Sequence, residues 1–100
     1  LREIAARCFN NAHYLYERLI NSGFTPLYPD KPFFMEFALR TPEGADYYIN
    51  RLINTGILAG YDLSRSHPER DPAILICATE IFSREQLDEF VTAMEGCRHE

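Results

Sequence analysis

The run Ala73-Ile-Leu-Ile-Cys-Ala78 does most to limit how this chain can fold. It is the most continuously apolar stretch in the sequence. A segment so short and so apolar reads as a central strand, buried on both faces or nearly so. Two different pieces lead into it. Gly56 to Leu63 (G-I-L-A-G-Y-D-L) is an apolar segment held between glycines, and a polar loop follows that carries Arg65, His67 and Arg70. A loop of about ten residues is longer than a hairpin needs, and unusually long loops in compact domains tend to be functional. Function is therefore sought between Gly56 and Glu80, with the rest of the chain as its support.

That support follows from periodicity. Ile4, Cys8, Ala12, Leu15 and Leu19 recur at three-to-four spacing, with Ala5, Tyr16 and Ile20 widening the stripe, and predict a helix from Arg2 to Asn21. Arg2, Arg7, Asn10, Asn11 and Arg18 fall on the opposite side. Gly23 suits the left-handed position that ends a helix. His13 lies on the flank, where a lone histidine is most often packing. Phe24 to Tyr28 reads as a short edge strand, because Pro26 has no N–H for a ladder. After the Pro29–Pro32 turn, Phe33 to Arg40 alternates and predicts a strand with Phe33, Met35, Phe37 and Leu39 facing the core. Thr41 and Pro42 read as N-cap and first residue of a second helix, with Glu43 and Asp46 in its first turn and Asn54-Thr55-Gly56 closing it.

Ile57 to Tyr61 then reads as a third strand, with Ala59 and Gly60 small enough for close backbone approach. The central strand spans Ala73 to Thr79. Ser83 and Gln86 have the spacing of a capping box, flanked by a Phe82–Leu87 staple, and open a last helix that Gly96 ends. The order is α-β-β-α-β-β-α. It predicts an α+β two-layer sandwich: a mainly antiparallel sheet of about four strands with helices on one face. The 100 residues suffice for one domain, residues 1–100. The chain opens at Leu1 and its amphipathic pattern is already running at Ile4, so it reads as a piece of something longer.

Charge and cysteine content exclude several functions. The net charge is -5, with one lysine and scattered arginines, which is no footprint for nucleic acid. Three widely spaced cysteines make neither a disulfide framework nor a zinc site and suit a reducing, cytoplasmic compartment. No apolar stretch approaches the roughly 20 residues of a membrane helix.

Reactive chemistry is hard to place. No Ser-His-Asp or Cys-His set has a trustworthy context, and Gly56 and Gly60 are too sparse for a phosphate loop. His67 and Glu69 lack further metal ligands. Lys31 is the sole amine able to form a Schiff base. It sits in a Pro-flanked turn beside Asp30, whereas a Schiff-base lysine is desolvated or placed near another cation. Arg65 is suited to fork onto a carboxylate or phosphate, though a solvated loop arginine explains it as well. Glu80 ends the central strand, where it either bonds nearby backbone or faces a site outside this chain. Gly60, Tyr61, Arg65, His67 and Glu80 are thus candidates for a docking or active-site-wall element, with no catalytic, cofactor or metal residue among them. On the residues alone, a free-standing α+β module that binds an amino acid or regulates remains open.

Five stretches carry a resemblance: N-A-H-Y-L-Y-E-R-L (Asn11 to Leu19), F-F-M-E-F (Phe33 to Phe37), G-I-L-A-G-Y-D-L, I-C-A-T-E (Ile76 to Glu80) and S-R-E-Q-L-D-E-F-V from Ser83. In this order and spacing the chain resembles the C-terminal end of subunit 1 of the two-subunit glycine dehydrogenase (decarboxylating), the P-protein family of the glycine cleavage system. The resemblance implies the small C-terminal domain of a fold-type-I PLP enzyme. It also implies an oxidoreductase that decarboxylates glycine and passes the aminomethyl group to the lipoyl H-protein. In that family the PLP-bearing lysine belongs to subunit 2, so subunit 1 supplies architecture and part of the active-site wall. The 100 residues alone are then expected to be inactive. A fold-type-I resemblance also admits the small domain of a PLP aminotransferase, in which Arg65 or Arg70 would grip the substrate carboxylate. An apolar patch is expected on the first helix or on Gly56 to Leu63, or else a dimer covering it.

Overall fold

The computed structural model describes residues 2–52, 61–63 and 72–98. Its elements are α1 (Arg2–Asn21), β1 (Glu36–Arg40), α2 (Ala45–Leu52), β2 (Tyr61–Asp62), β3 (Ala73–Cys77) and α3 (Arg84–Arg98). The apolar run is the central strand: the sheet order is β1-β3-β2, antiparallel throughout.

Register explains why helices cover one face. Phe37 lies opposite Ile76 and Leu39 opposite Ile74. Directly opposed residues share a face, so these four side chains point the same way. All four are buried with Ala12, Leu15 and Leu19 of α1, Tyr48 and Leu52 of α2, and Leu87, Phe90, Val91 and Met94 of α3. The α+β reading with helices on one face therefore holds. The other face carries Ala38 opposite Leu75 and Glu36 opposite Cys77. Leu75 and Cys77 are only partly buried, so β3 is fully covered on its helix side and less so on the other.

The helix ends follow local chemistry. Gly23 has a φ of 104° and closes α1: its N–H bonds the Ile20 carbonyl at 3.0 Å, and the Phe24 N–H bonds that of Leu19 at 3.1 Å. That pair of bonds satisfies carbonyls the helix leaves open. The capping box of α3 is formed, with the Gln86 N–H donating to Ser83 Oγ at 3.2 Å and the Ser83 N–H donating to Gln86 Oε1 at 2.9 Å.

Four expectations are corrected. Among the described residues the sheet has three strands, not about four. Phe24 to Tyr28 makes only an isolated bridge, Pro26 to Leu39, beside bonds from Leu27 N–H to the Ala38 carbonyl and from Arg40 N–H to the Thr25 carbonyl. Pro26 occupies a position where no N–H is asked of it, which fits its role at the edge. The strand expected from Phe33 begins only at Glu36, because Phe33 stacks against α1. Thr41 and Pro42 do not start α2. They form a turn closed by the Gly44 N–H on the Thr41 carbonyl at 2.7 Å, and the helix begins at Ala45. Lastly, α3 runs through Gly96 to Arg98. The expected helix end at Gly56 and most of the strand Ile57 to Tyr61 lie outside the described residues, and Tyr61 itself opens β2.

Candidate functional site

Of the five residues singled out from sequence, Gly60, Arg65 and His67 lie outside the described residues, as does Arg70. Tyr61 pairs with Leu75 as the first residue of β2. Glu80 is placed with its side chain, and around it the structure builds a connected set. The Cys8 thiol donates to Glu80 Oε2 at 3.3 Å. One turn further along α1, Asn11 Nδ2 donates to the carbonyls of Thr79, at 2.8 Å, and Phe82, at 3.0 Å. The connection from β3 to α3 is thereby pinned to the first half of α1. Periodicity places Asn11 on the polar side of the helix; it sits half-buried at the boundary, where its amide satisfies two carbonyls that no ladder serves.

The surroundings of Cys8 favour its protonated thiol. Burial pushes the Cys8 thiol above its ordinary range, and the bond to Glu80 raises it further, since that bond needs the proton. Cys77 is raised as well, first by burial and then by the nearby Glu36 carboxylate. A nucleophilic cysteine needs the opposite, an environment that favours thiolate.

An aromatic column stands beside this set. The His13 ring is stacked between Phe9 (centroids 4.0 Å) and Phe33 (4.1 Å), and its Nε2 bonds the Phe33 carbonyl at 3.0 Å. Phe33 continues to Tyr16 and Phe37. His13 thus packs the approach to β1 onto α1, in line with the bland reading of a flank histidine.

Lys31 is exposed, and its ammonium lies 5.2 Å from the centroid of the Tyr28 ring. It lines two open clefts, of about 400 and 280 Å³, but as an exposed ammonium it lacks the desolvation that activates a Schiff-base lysine. No group of three potential metal ligands comes together among the described residues, and no described helix is long and apolar enough to cross a membrane. A cavity of about 510 Å³ lies between the end of α1 and the turn before α2, lined by Phe24, Arg40, Glu43 and Tyr48 among others. Its charged groups are of opposite sign, and the Tyr48 hydroxyl already donates to Glu43 at 2.8 Å. It contains no nucleophile paired with a base.

No family model matches the chain. Individual proteins do. It is 44% identical over 95 residues, 94% of its length, to the probable glycine dehydrogenase (decarboxylating) subunit 1 of Methylococcus capsulatus. It is 40% identical over 97 residues to the protein of that name from Moorella thermoacetica. The chain spans about a fifth of the length of these curated relatives, 21% and 22%. Among solved structures it matches an inhibitor-bound glycine decarboxylase (P-protein) of the glycine cleavage system, with a TM-score of 0.81 and 30% identity, over 96% of this chain and 22% of that one. A C-DES mutant with glycine covalently linked to its PLP cofactor matches with a TM-score of 0.75 at 13% identity, which shows a shared fold.

Proposed function

We propose that this chain is the C-terminal domain of subunit 1 of a PLP-dependent glycine decarboxylase, the P-protein of a glycine cleavage system. It contributes architecture, subunit contacts and active-site wall rather than reacting groups. The observation that carries this reading is the 44% identity to a glycine dehydrogenase subunit 1 along 94% of the chain. The fold match to a glycine decarboxylase supports it. In this reading PLP is held by subunit 2, glycine is decarboxylated there, and the aminomethyl group leaves on the lipoyl arm of the H-protein in the cytoplasm. The segment with Gly60, Tyr61, Arg65 and His67, together with Glu80, faces the large domain or the partner subunit. The position of Tyr61 on the last strand of the sheet, and of Glu80 just beyond the central strand, supports that assignment.

The test is a transplant. The matching stretch of the Methylococcus capsulatus relative is replaced by this chain, and glycine decarboxylation is assayed with the rest of the system supplied. Activity within about tenfold of the unaltered relative is expected. A folded but inactive transplant, or glycine decarboxylation by the 100 residues alone with PLP and a borohydride-fixed adduct on Lys31, overturns the reading. Saturable micromolar binding of glycine by the chain alone favours an amino-acid-binding module instead.

A further inference from the structure

The apolar stripe of α1 outruns the core of its own domain. Ile4, Cys8, Ala12, Leu15 and Leu19 share one side of the helix by spacing. Cys8 is 6% exposed and the three after it are fully buried, yet Ile4 is 48% exposed. Ala5 beside it is exposed too. This uncovered end has apolar neighbours. On one flank Phe9, 42% exposed, has its ring centroid 6.1 Å from that of Phe34, 50% exposed. On the other, the Cys8–Glu80 and Asn11 bonds draw residues 79–82 against the helix and bring in Ile81, 73% exposed. Single exposed apolar residues are ordinary, but here they lie on three segments that adjoin along the first half of α1, as an interaction surface would.

We propose that this surface, Ile4, Phe9, Phe34 and Ile81, is the seat of the domain on the remaining body of a longer subunit-1 polypeptide. The proposal rests on the function proposed above. Two considerations choose this occupant over a second copy. The relatives carry about four times its length beyond the matched part, and under the function proposed above that body meets this domain. A covalent link also keeps two parts of one chain at high effective concentration, so contact between them needs less area than a dimer does.

The experiment is hydrogen exchange on the transplant in the Methylococcus capsulatus relative. Amides of residues 2–7 are expected to be protected there. Ile4→Asp with Ile81→Asp is expected to speed their exchange at least about tenfold while α3 stays protected, which reports that the domain is still folded. Tyr28→Ser, an exposed aromatic off the surface, is expected to change nothing at residues 2–7. A second pair, Phe9→Asp with Phe34→Asp, gives the same readout from the other flank. Unchanged protection in both pairs, with α3 intact, overturns the surface and leaves the functional reading standing. An unsubstituted transplant that fails to fold or to decarboxylate glycine overturns that reading, and this surface with it. A 100-residue chain that sediments as a dimer, and becomes monomeric on Ile4→Asp with Ile81→Asp, assigns the face to a second copy and overturns the proposed occupant.

Discussion

Cys8 and Glu80 stand 72 positions apart in sequence and share one hydrogen bond, thiol to carboxylate, at 3.3 Å. The relationship sets a pH dependence. Cys8 and Cys77 both hold their protons more tightly in the folded chain than an exposed thiol does. A raised folded pKa means the stabilisation is fully present below the ordinary thiol range, about 8.5. Above it the unfolded chain loses these protons first, so stability falls as pH rises. Urea unfolding at pH 7.5 and pH 9.5 is expected to show that fall, and Cys8→Ala with Cys77→Ala to make it shallower. Identical slopes in the variant and the parent would remove the thiols from the account.

Asn11 ties α1 to the connection after β3 through two carbonyls. Asn11→Ala leaves both without that donor in a half-buried place. With about 0.5–1.5 kcal/mol net for each bond, a loss of about 1–3 kcal/mol is expected. Asn11→Asp is expected to be worse, since it turns a donor into an acceptor facing two carbonyls. Denaturant midpoints read both; an alanine variant as stable as the parent would mean that water serves these carbonyls equally well.

The ion pair between Arg18 and Asp88, joined by the Tyr14 hydroxyl, looks more consequential than it is. The hydrogen bond to Tyr14, and then the carboxylate of Asp88, raise the already high pKa of Arg18, so its charge does not change over any ordinary pH. Both side chains are nearly half exposed, and exposed pairs contribute about 0–1 kcal/mol. A double-mutant cycle of Arg18→Met and Asp88→Asn is expected to give a coupling below about 1 kcal/mol that shrinks in 1 M salt. A coupling above about 2 kcal/mol would show a buried network instead.

Thr41 is fully buried, and its Oγ1 has no hydrogen-bond partner among the described residues. A buried unpaired hydroxyl costs about 1–3 kcal/mol. Thr41→Val keeps the shape and removes the group, so a gain of about 1 kcal/mol is expected in thermal unfolding. A loss would reveal a partner for the hydroxyl.

What was legible in the sequence is local. The bounds of α1 follow from one stripe and one glycine, and the start of α3 from Ser83 and Gln86, because each signal is completed within a turn. The apolar run Ala73 to Ala78 declared itself central because it carries no charged, amide or hydroxyl side chain. Contacts across the chain were not legible. Nothing near Cys8 announces Glu80. Asn11 reads as surface by its angle on the helix, yet it meets carbonyls delivered by the other end of the chain. Phe33 fits the alternation of a strand, but the His13 ring captures it and shortens β1. Most of the expected site falls on Gly60, Arg65 and His67, outside the described residues.

The start of α2 shows two local signals in conflict, and yields the last prediction. Thr41-Pro42-Glu43 has the composition of a helix start, but Gly44 has a φ of 103° and closes a turn on Thr41. Proline at the second position and glycine at the fourth suit that turn. A Cβ at Gly44 would stand 3.0 Å from Asp46 Oδ1, the end of a side chain that can swing away, so the backbone decides the cost. Left-handed conformations cost non-glycine residues about 1–2 kcal/mol. Gly44→Ala is therefore expected to lower Tm by roughly 4–16 °C, at 4–8 °C per kcal/mol for a domain of this size. Gly44→Asn is expected to lose less, because its side chain tolerates positive φ. Gly44→Ala together with Asp46→Ala is expected to recover little, since it relieves the contact and leaves the strain. An alanine variant that melts with the parent would show that the turn can rotate Gly44 to negative φ at no cost, and the conformational account of this boundary would fall.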